Sequence, residues 1–213
     1  MNKTDYNKVM EEKIKNFTFK PKLLLHVCCA PCFSGVFEKL VDFFDITLLF
    51  YNPNMDTKEE FDKRNNELLM FVEGINQKIV SKINIITIEY NHNEFLNKVF
   101  GKENEKEGGS RCYNCFYLRL LKTCEIAKEN GYDFFTTTLS VSPYKNSEML
   151  NQIGKELQEK YNINYLFSDF KKKEGYKRSI ELSREFNLYR QNYCGCEFSK
   201  NQRLFEKTIV DKK

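Results

Sequence analysis

The chain contains no tryptophan, only two histidines and only four prolines among 213 residues. It has no apolar run long enough to cross a bilayer as a helix, so no membrane partner is expected. Its start, Met1-Asn-Lys-Thr-Asp-Tyr6, has neither the basic nor the apolar region of a secretory signal, and a cytoplasmic location is expected. The shortage of histidine leaves mixed cysteine and histidine zinc sites poorly supported. No glycine-rich dinucleotide fingerprint follows the first apolar run, residues 22–27, so binding of NAD(P)H or a flavin is not indicated. A Ser-Gly-Gly loop is missing from the same place, which counts against an ATP-using, nucleotide-activating enzyme. The net charge of +4 permits a polyanionic partner without requiring one.

Cysteine, by contrast, is plentiful and grouped. Seven of the eight cysteines fall in three strings: Cys28-Cys29-Ala-Pro-Cys32, Cys112-Tyr-Asn-Cys115 and Cys194-Gly-Cys196. In a reducing compartment such grouping speaks for metal ligation or thiol chemistry rather than a disulfide framework. Cys124 stands alone at a core-compatible helix position and reads as a small buried hydrophobe.

Residues 22–27 (KLLLHV), 45–51 (DITLLFY), 83–88, 132–139 and 164–167 read as buried strands, alternating with helical segments at 57–79, 93–100, 115–130, 147–161 and 175–186. Gly131 stands where a helix C-cap is expected. Residues 101–111 are charged and glycine-containing, without apolar period, and predict an exposed loop. The alternation predicts an α/β fold with an open, mostly parallel sheet and helices on both faces, a three-layer sandwich of the nucleotide-hydrolase or PP-loop type. Residues 1–20 are expected to form an accessory helical leader, and 21–213 a single α/β catalytic domain with a helical C-terminal region. Ligands in such sheets sit beyond the carboxyl ends of the strands, which is where the first cysteine string stands, so a metal site is expected there.

Adjacent cysteines cannot point the same way along a strand, so Cys28 and Cys29 must occupy the turn beyond it, where a following helix start favours thiolates. The competing reading is an ordinary buried pair. Cys112 and Cys115 have the two-residue spacer shared by iron–sulfur, zinc and dithiol sites, and Arg111 can offset thiolate charge. The one-residue spacer of Cys194 and Cys196 suits either a strained, labile disulfide or a second metal. Four sulfurs from the first two strings make an all-thiolate set suited to a [4Fe-4S] cluster. His26 is a candidate hydrogen-bonding neighbour of the site or a satisfied core histidine, and His92 reads as a surface residue.

Together, His26-Val-Cys28-Cys29-Ala-Pro-Cys32, Tyr51-Asn-Pro53-Asn54, Arg111-Cys112-Tyr-Asn-Cys115, Ser142-Pro143-Tyr144-Lys145 and Tyr193-Cys194-Gly195-Cys196 resemble the QueH-type, non-cobalamin epoxyqueuosine reductases. The resemblance implies reduction of epoxyqueuosine to queuosine at the wobble nucleotide of tRNA. It implies Cys28, Cys29, Cys112 and Cys115 as ligands of a [4Fe-4S] cluster and Cys194 with Cys196 as a redox-active or second-metal pair. Cys32 is a further candidate ligand, and a second iron ion or other metal a candidate cofactor. An external electron donor is required, because the reaction consumes two electrons.

Tyr144, Lys145 and Asp169 stand near strand ends as candidate proton donors or substrate contacts. The segment containing Lys171, Lys172, Lys173, Tyr176, Lys177, Arg178, Arg184, Tyr189, Arg190 and Tyr193 interleaves cations with aromatic rings, as tRNA backbone contacts and base stacking require. A solvated lysine face explains the triple-lysine run equally well without the resemblance. A tRNA-thiolating enzyme, which would need an ATP pocket, and a non-enzymatic zinc-stabilised RNA-binding module are the alternatives.

Overall fold

A computed structural model describes residues 4–210. The ends of the expected leader and tail, residues 1–3 and 211–213, lie outside the described residues. In chain order the elements are α1 (Tyr6–Lys15), β1 (Lys22–Val27), α2 (Ala30–Leu40), β2 (Asp45–Phe50), α3 (Lys58–Asn76), β3 (Asn84–Thr87) and α4 (His92–Val99). They continue with α5 (Ser110–Glu129), β4 (Phe134–Thr137), a 3-10 turn (Thr138–Val141), α6 (Ser147–Tyr161), β5 (Asn164–Tyr165), α7 (Gly175–Glu185) and α8 (Glu197–Val210).

The five strands form one sheet in the order β3-β2-β1-β4-β5, and every pairing is parallel. Alternate residues of the apolar strands feed two separate cores. Leu23, Leu25 and Val27 of β1 join Ile46, Leu48 and Phe50 of β2 against α1, α2 and α3. Leu24, Leu49 and Phe135 face the opposite way, onto Phe116 and Leu120 of α5 and Leu150 and Leu157 of α6. A sheet buried on both faces accounts for strands that read as continuous apolar runs, and the expected three-layer α/β architecture is the observed one. Among the described residues no helix is long and apolar enough to cross a membrane.

Local signals set the helix ends. Asp5 caps α1 through Asn7 N and Lys8 N, both at 3.1 Å. Thr57 Oγ1 accepts from Glu60 N at 3.1 Å at the start of α3. Gly131, at φ +67°, ends α5 as expected. α1 inserts Met10 and Ile14 into the first core.

Three expectations shift. α5 begins at Ser110 and not at Cys115, because the Glu105 carboxylate accepts from Arg111 N at 2.9 Å and from Ser110 Oγ at 2.5 Å, satisfying donors at the helix start. The stretch 101–111 is not simply exposed: Arg111, 2% exposed, folds back to donate to Glu103 O at 2.8 Å and to Glu105 O. β4 also ends sooner than expected, giving way to the 3-10 turn at Thr138.

The connection after β1 runs toward β2, whereas the connection after β4 runs toward β5 on the other side. The crevice between the carboxyl ends of β1 and β4 is therefore the topological switch point, where ligands bind in folds of this kind.

Candidate functional site

A cavity of about 310 Å³ opens at this switch point. The turn after β1 contributes Cys28, Cys29, Pro31 and Cys32, and the turn after β4 contributes Val141, Ser142, Tyr144 and Lys145. Tyr176 and Ser179 come from α7, the segment 190–194 closes the far wall, and Glu107 and Arg203 complete the lining.

Val27 is the last strand residue, and Pro31 sits in the first turn of α2, so the chain reverses at Cys28 and Cys29. The Sγ atoms of Cys28, Cys29 and Cys32 all lie within 4.8 Å of one another, and Cys28 and Cys29 are 3.8 Å apart. Hydrogen bonds from Cys29 and Cys32 hold the Cys28 thiol well below its ordinary pKa. The same bond to Cys28 pushes Cys29 up to about 12, and Cys32 is raised likewise.

A second group lies beside it. Cys112, Cys115, Cys194 and Cys196 line one small space with Phe95, Arg111 and Phe116. Cys112 Sγ accepts from Gly108 N at 3.2 Å, Cys115 Sγ from Arg119 Nη2 at 3.3 Å, and Cys196 Sγ from Ser199 N at 3.4 Å. Burial pushes Cys115 up to about 11 and raises Cys112 and Cys196 too. Cys194 lines both this space and the large cavity, joining the two groups. The turn that carries it is pinned by Asp56 N donating to Gly195 O at 2.9 Å, and Gly195 adopts φ +123°, a conformation that favours glycine. All three cysteine strings thus meet at one rim of the sheet. Cys32 gathers with Cys28 and Cys29, whereas Cys194 and Cys196 gather with Cys112 and Cys115.

Two buried arginines escaped the sequence reading. Arg119, 1% exposed, also donates from Nε to Cys115 O at 3.3 Å, and no carboxylate pairs with it among the described residues. Burial works against its charge, but Cys115, Cys194, Cys28 and Cys196 outweigh burial and raise its pKa. Arg64, also 1% exposed, binds Glu60 through Nε at 2.6 Å and sits within the field of Cys29 and Cys28. Lys145 faces the same sulfurs: burial opposes its charge, and the electrostatic pull of the Cys194, Cys28 and Cys32 side chains raises its pKa overall.

A signal for both arginines was present: each stands in an apolar helical register, Arg64 between Phe61 and Leu68, Arg119 between Phe116 and Leu120. A guanidinium keeps its charge in protein interiors, so a buried one advertises a nearby anion.

His26 is fully buried, with Nδ1 2.8 Å from Thr137 Oγ1 and Nε2 3.1 Å from Tyr51 O. The carbonyl of Tyr51 must accept, so Nε2 carries the proton and Nδ1 accepts from Thr137. Burial lowers the pKa of His26 to about 3, and the neutral ring ties β1 to the ends of β2 and β4. His92 is half-buried rather than a free surface residue, with Nδ1 2.8 Å from Pro53 O and Nε2 3.3 Å from Glu197 Oε1. Cys124 is fully buried in the α5/α6 core.

Tyr144 is exposed at the cavity mouth, where the Arg203 guanidinium lies 4.8 Å from its ring centroid. Asp169 stands apart from the cavity lining, 6% exposed, paired with Lys171 at 2.8 Å and accepting from Ser147 at 3.1 Å. Of the cations and rings in the 171–193 segment, Tyr176, Arg190 and Tyr193 reach the cavity. Lys173 pairs with Glu11 at 2.6 Å and Arg178 with Glu38 at 2.7 Å, whereas Lys172 and Lys177 are exposed and Tyr189 is half-buried under Lys63.

Comparison with known proteins bears on what this arrangement serves. Residues 23–202 match the family model described as epoxyqueuosine reductase QueH. The epoxyqueuosine reductase QueH of Streptococcus pyogenes serotype M1 is 40% identical over 213 residues, covering 99% of this chain and 84% of its own. That of Staphylococcus aureus is 40% identical, covering 99% of this chain and 90% of its own. That of Thermotoga maritima is 33% identical, covering 90% and 96% respectively. A match of this extent, including every cysteine string that lines the cavity, makes the chain a member of the epoxyqueuosine reductase QueH family, and so an oxidoreductase.

Proposed function

We propose that the chain reduces epoxyqueuosine to queuosine in tRNA, using iron held by the cysteines of the cavity. The observation that carries this reading is the cysteine-lined cavity at the switch point, with the buried Arg119 donating to Cys115 Sγ beside it. A buried guanidinium without a carboxylate needs several kcal/mol of compensation, and anionic, iron-bearing thiolates supply it. The donor set also fits: seven thiols and no histidine favour iron–sulfur ligation over mixed zinc sites.

Cys28, Cys29, Cys112 and Cys115 form the cluster set in this reading, with Cys194 and Cys196 as the redox-active or second-iron pair and Cys32 as a further ligand. A second division is favoured by the shared small space of Cys112, Cys115, Cys194 and Cys196, which would form a four-thiolate set opposite Cys28, Cys29 and Cys32. Cys194→Ser and Cys196→Ser separate the two: retention of a four-iron spectrum supports the first, its loss the second.

When bound, an iron–sulfur cluster with a second redox element supplies the two electrons of the reaction one at a time, drawn from an external donor. Conversion of an epoxide to an alkene takes up two electrons and two protons and releases water. Lys145, with its ammonium held charged in the cavity wall, is positioned to give a proton to the departing oxygen. Tyr176 and Tyr193 offer ring faces for an extruded base, and Arg190, oriented by Ser179 O at 3.1 Å and Ser183 Oγ at 3.0 Å, offers a phosphate contact. The exposed Lys172 and Lys177 extend a basic surface for the tRNA backbone. The test is anaerobic incubation of iron-loaded protein with epoxyqueuosine-containing tRNA and a chemical reductant, followed by nucleoside mass analysis. Loss of one oxygen is expected, and an unchanged nucleoside would overturn the reading.

A further inference from the structure

The large cavity is lined by cations, Lys145, Arg190 and Arg203, yet its lining contains one carboxylate, Glu107. This residue belongs to the charged stretch before α5 and also lines the small space between Cys112, Cys115, Cys194 and Cys196. It therefore stands on the boundary between the substrate cavity and the second sulfur group. Its side chain is 15% exposed, and both of its protein contacts fall on one oxygen. Oε2 accepts from Ser199 Oγ at 3.3 Å and lies 3.7 Å from Arg203 Nη2. Oε1 has no hydrogen-bond partner among the described residues, so the contacts to Ser199 and Arg203 leave one carboxylate oxygen open to a ligand. Ser199 is itself fixed by accepting from Cys194 N at 3.1 Å, so the carboxylate is held in register with the cysteine turn.

Phosphate recognition has no use for a carboxylate in such a place. A cationic group on the ligand does. Epoxyqueuosine carries a secondary amine between its deazaguanine base and its epoxide-bearing ring, and such an amine is protonated near neutral pH. The epoxide begins at the carbon next to the one bearing that nitrogen.

We propose that Glu107 is a specificity-determining residue: its carboxylate takes the protonated secondary amine of the substrate side chain and turns the epoxide toward the thiol-bearing wall. The proposal deepens the epoxyqueuosine reading above and rests on it. An ammonium seated on Oε1 makes a charge-assisted hydrogen bond in a partly desolvated site, stronger than a neutral one. The adjacent ring then lies in the cavity whose wall carries Cys28, Cys32, Cys194 and Lys145. An unmodified guanine at the same position has no basic amine to offer, so the pairing distinguishes modified from unmodified tRNA before any electron moves.

The experiment compares the affinity of the iron-loaded protein for epoxyqueuosine-bearing tRNA with its affinity for the same tRNA carrying guanine, without reductant and at fixed salt. The wild-type protein is expected to prefer the modified tRNA. Glu107→Gln is expected to lose about tenfold of that preference while binding the unmodified tRNA equally well and keeping its iron content and visible spectrum. Glu107→Asp, which keeps the charge on a shorter stem, is expected to retain part of the preference. An undiminished preference in Glu107→Gln, or an equal loss for both tRNAs, overturns the role of Glu107 while leaving the reductase reading intact. Loss of iron in both variants assigns Glu107 a structural part and overturns the proposal as well. A wild-type protein with no preference for the modified tRNA counts against the reductase reading itself.

Discussion

Arg119 and His26 show how single buried polar groups constrain the chemistry around them. Removing a cation that offsets buried thiolates leaves their charge uncompensated, at a cost of about 3–5 kcal/mol. Arg119→Met is therefore expected to retain much less iron after reconstitution than wild type, with Arg119→Lys intermediate; iron and sulfide analysis checks this, and equal iron content would contradict it. His26 has a folded pKa of about 3 against an ordinary 6.5. Between those values the unfolded chain binds the extra proton, so the stability contributed by neutral His26 is complete above pH 6.5 and is lost as pH falls toward 3. Anaerobic denaturant titrations should show stability falling by up to about 1.4 kcal/mol per pH unit in that window, less steeply in His26→Asn. At this scale the sequence disclosed the cysteines because their spacing is unusual. It concealed Glu107, whose charged, glycine-containing surroundings look like any solvated loop until Arg111 and Glu105 fold them against the site.

Helices and strands were legible where one face is apolar and illegible where polar residues start an element. β1 and β2 announced themselves as apolar runs, whereas the first turn of α5, Ser-Arg-Cys-Tyr-Asn, has no apolar period and gains its helical start from Glu105. The placement of α7 against α2 depends on close approach that composition alone does not reveal. A Cβ added at Gly35 would lie 2.7 Å from Ser179 Cβ, and one at Gly175 would lie 1.9 Å from Phe170 O. Gly175→Ala must part the start of α7 from the Phe170 carbonyl before it, displacing Tyr176 and, through its bonds to Ser179 and Ser183, Arg190. Overpacking of this kind costs about 1–3 kcal/mol, or roughly 2–4 °C in Tm for each kcal/mol at this size. Thermal melts should show that loss together with weaker tRNA binding, whereas a melt unchanged from wild type would mean the backbone yields freely.

Across the whole molecule, net charge says little about where tRNA lies, because much of the basic segment is already neutralised within the fold. Lys171, Lys173 and Arg178 are paired with Asp169, Glu11 and Glu38. Lys172 and Lys177 remain exposed, the latter only 3.5 Å from an equally exposed Glu174. Reversing the charge at Lys172 and Lys177 is expected to weaken tRNA binding and to lower its salt dependence by about one counterion per lost phosphate contact. Lys173→Glu should change it less. Affinity that stays constant at low salt would remove this face from the interface. The fold class and the place of the first cysteine string at the strand ends followed from strand periodicity and topology. The way the sulfurs divide did not, since that depends on how the Gly195 turn docks beside Asp56.

That docking sets an order of events at the ribosome. Cys28, Cys29 and Cys32 are made before most of the sheet, whereas Cys194 and Cys196 follow all five strands in the chain. Until then the nascent chain carries accessible thiols with no complete nest for iron. Oxygen or stray metal encountered during translation should do more harm than the same exposure after release.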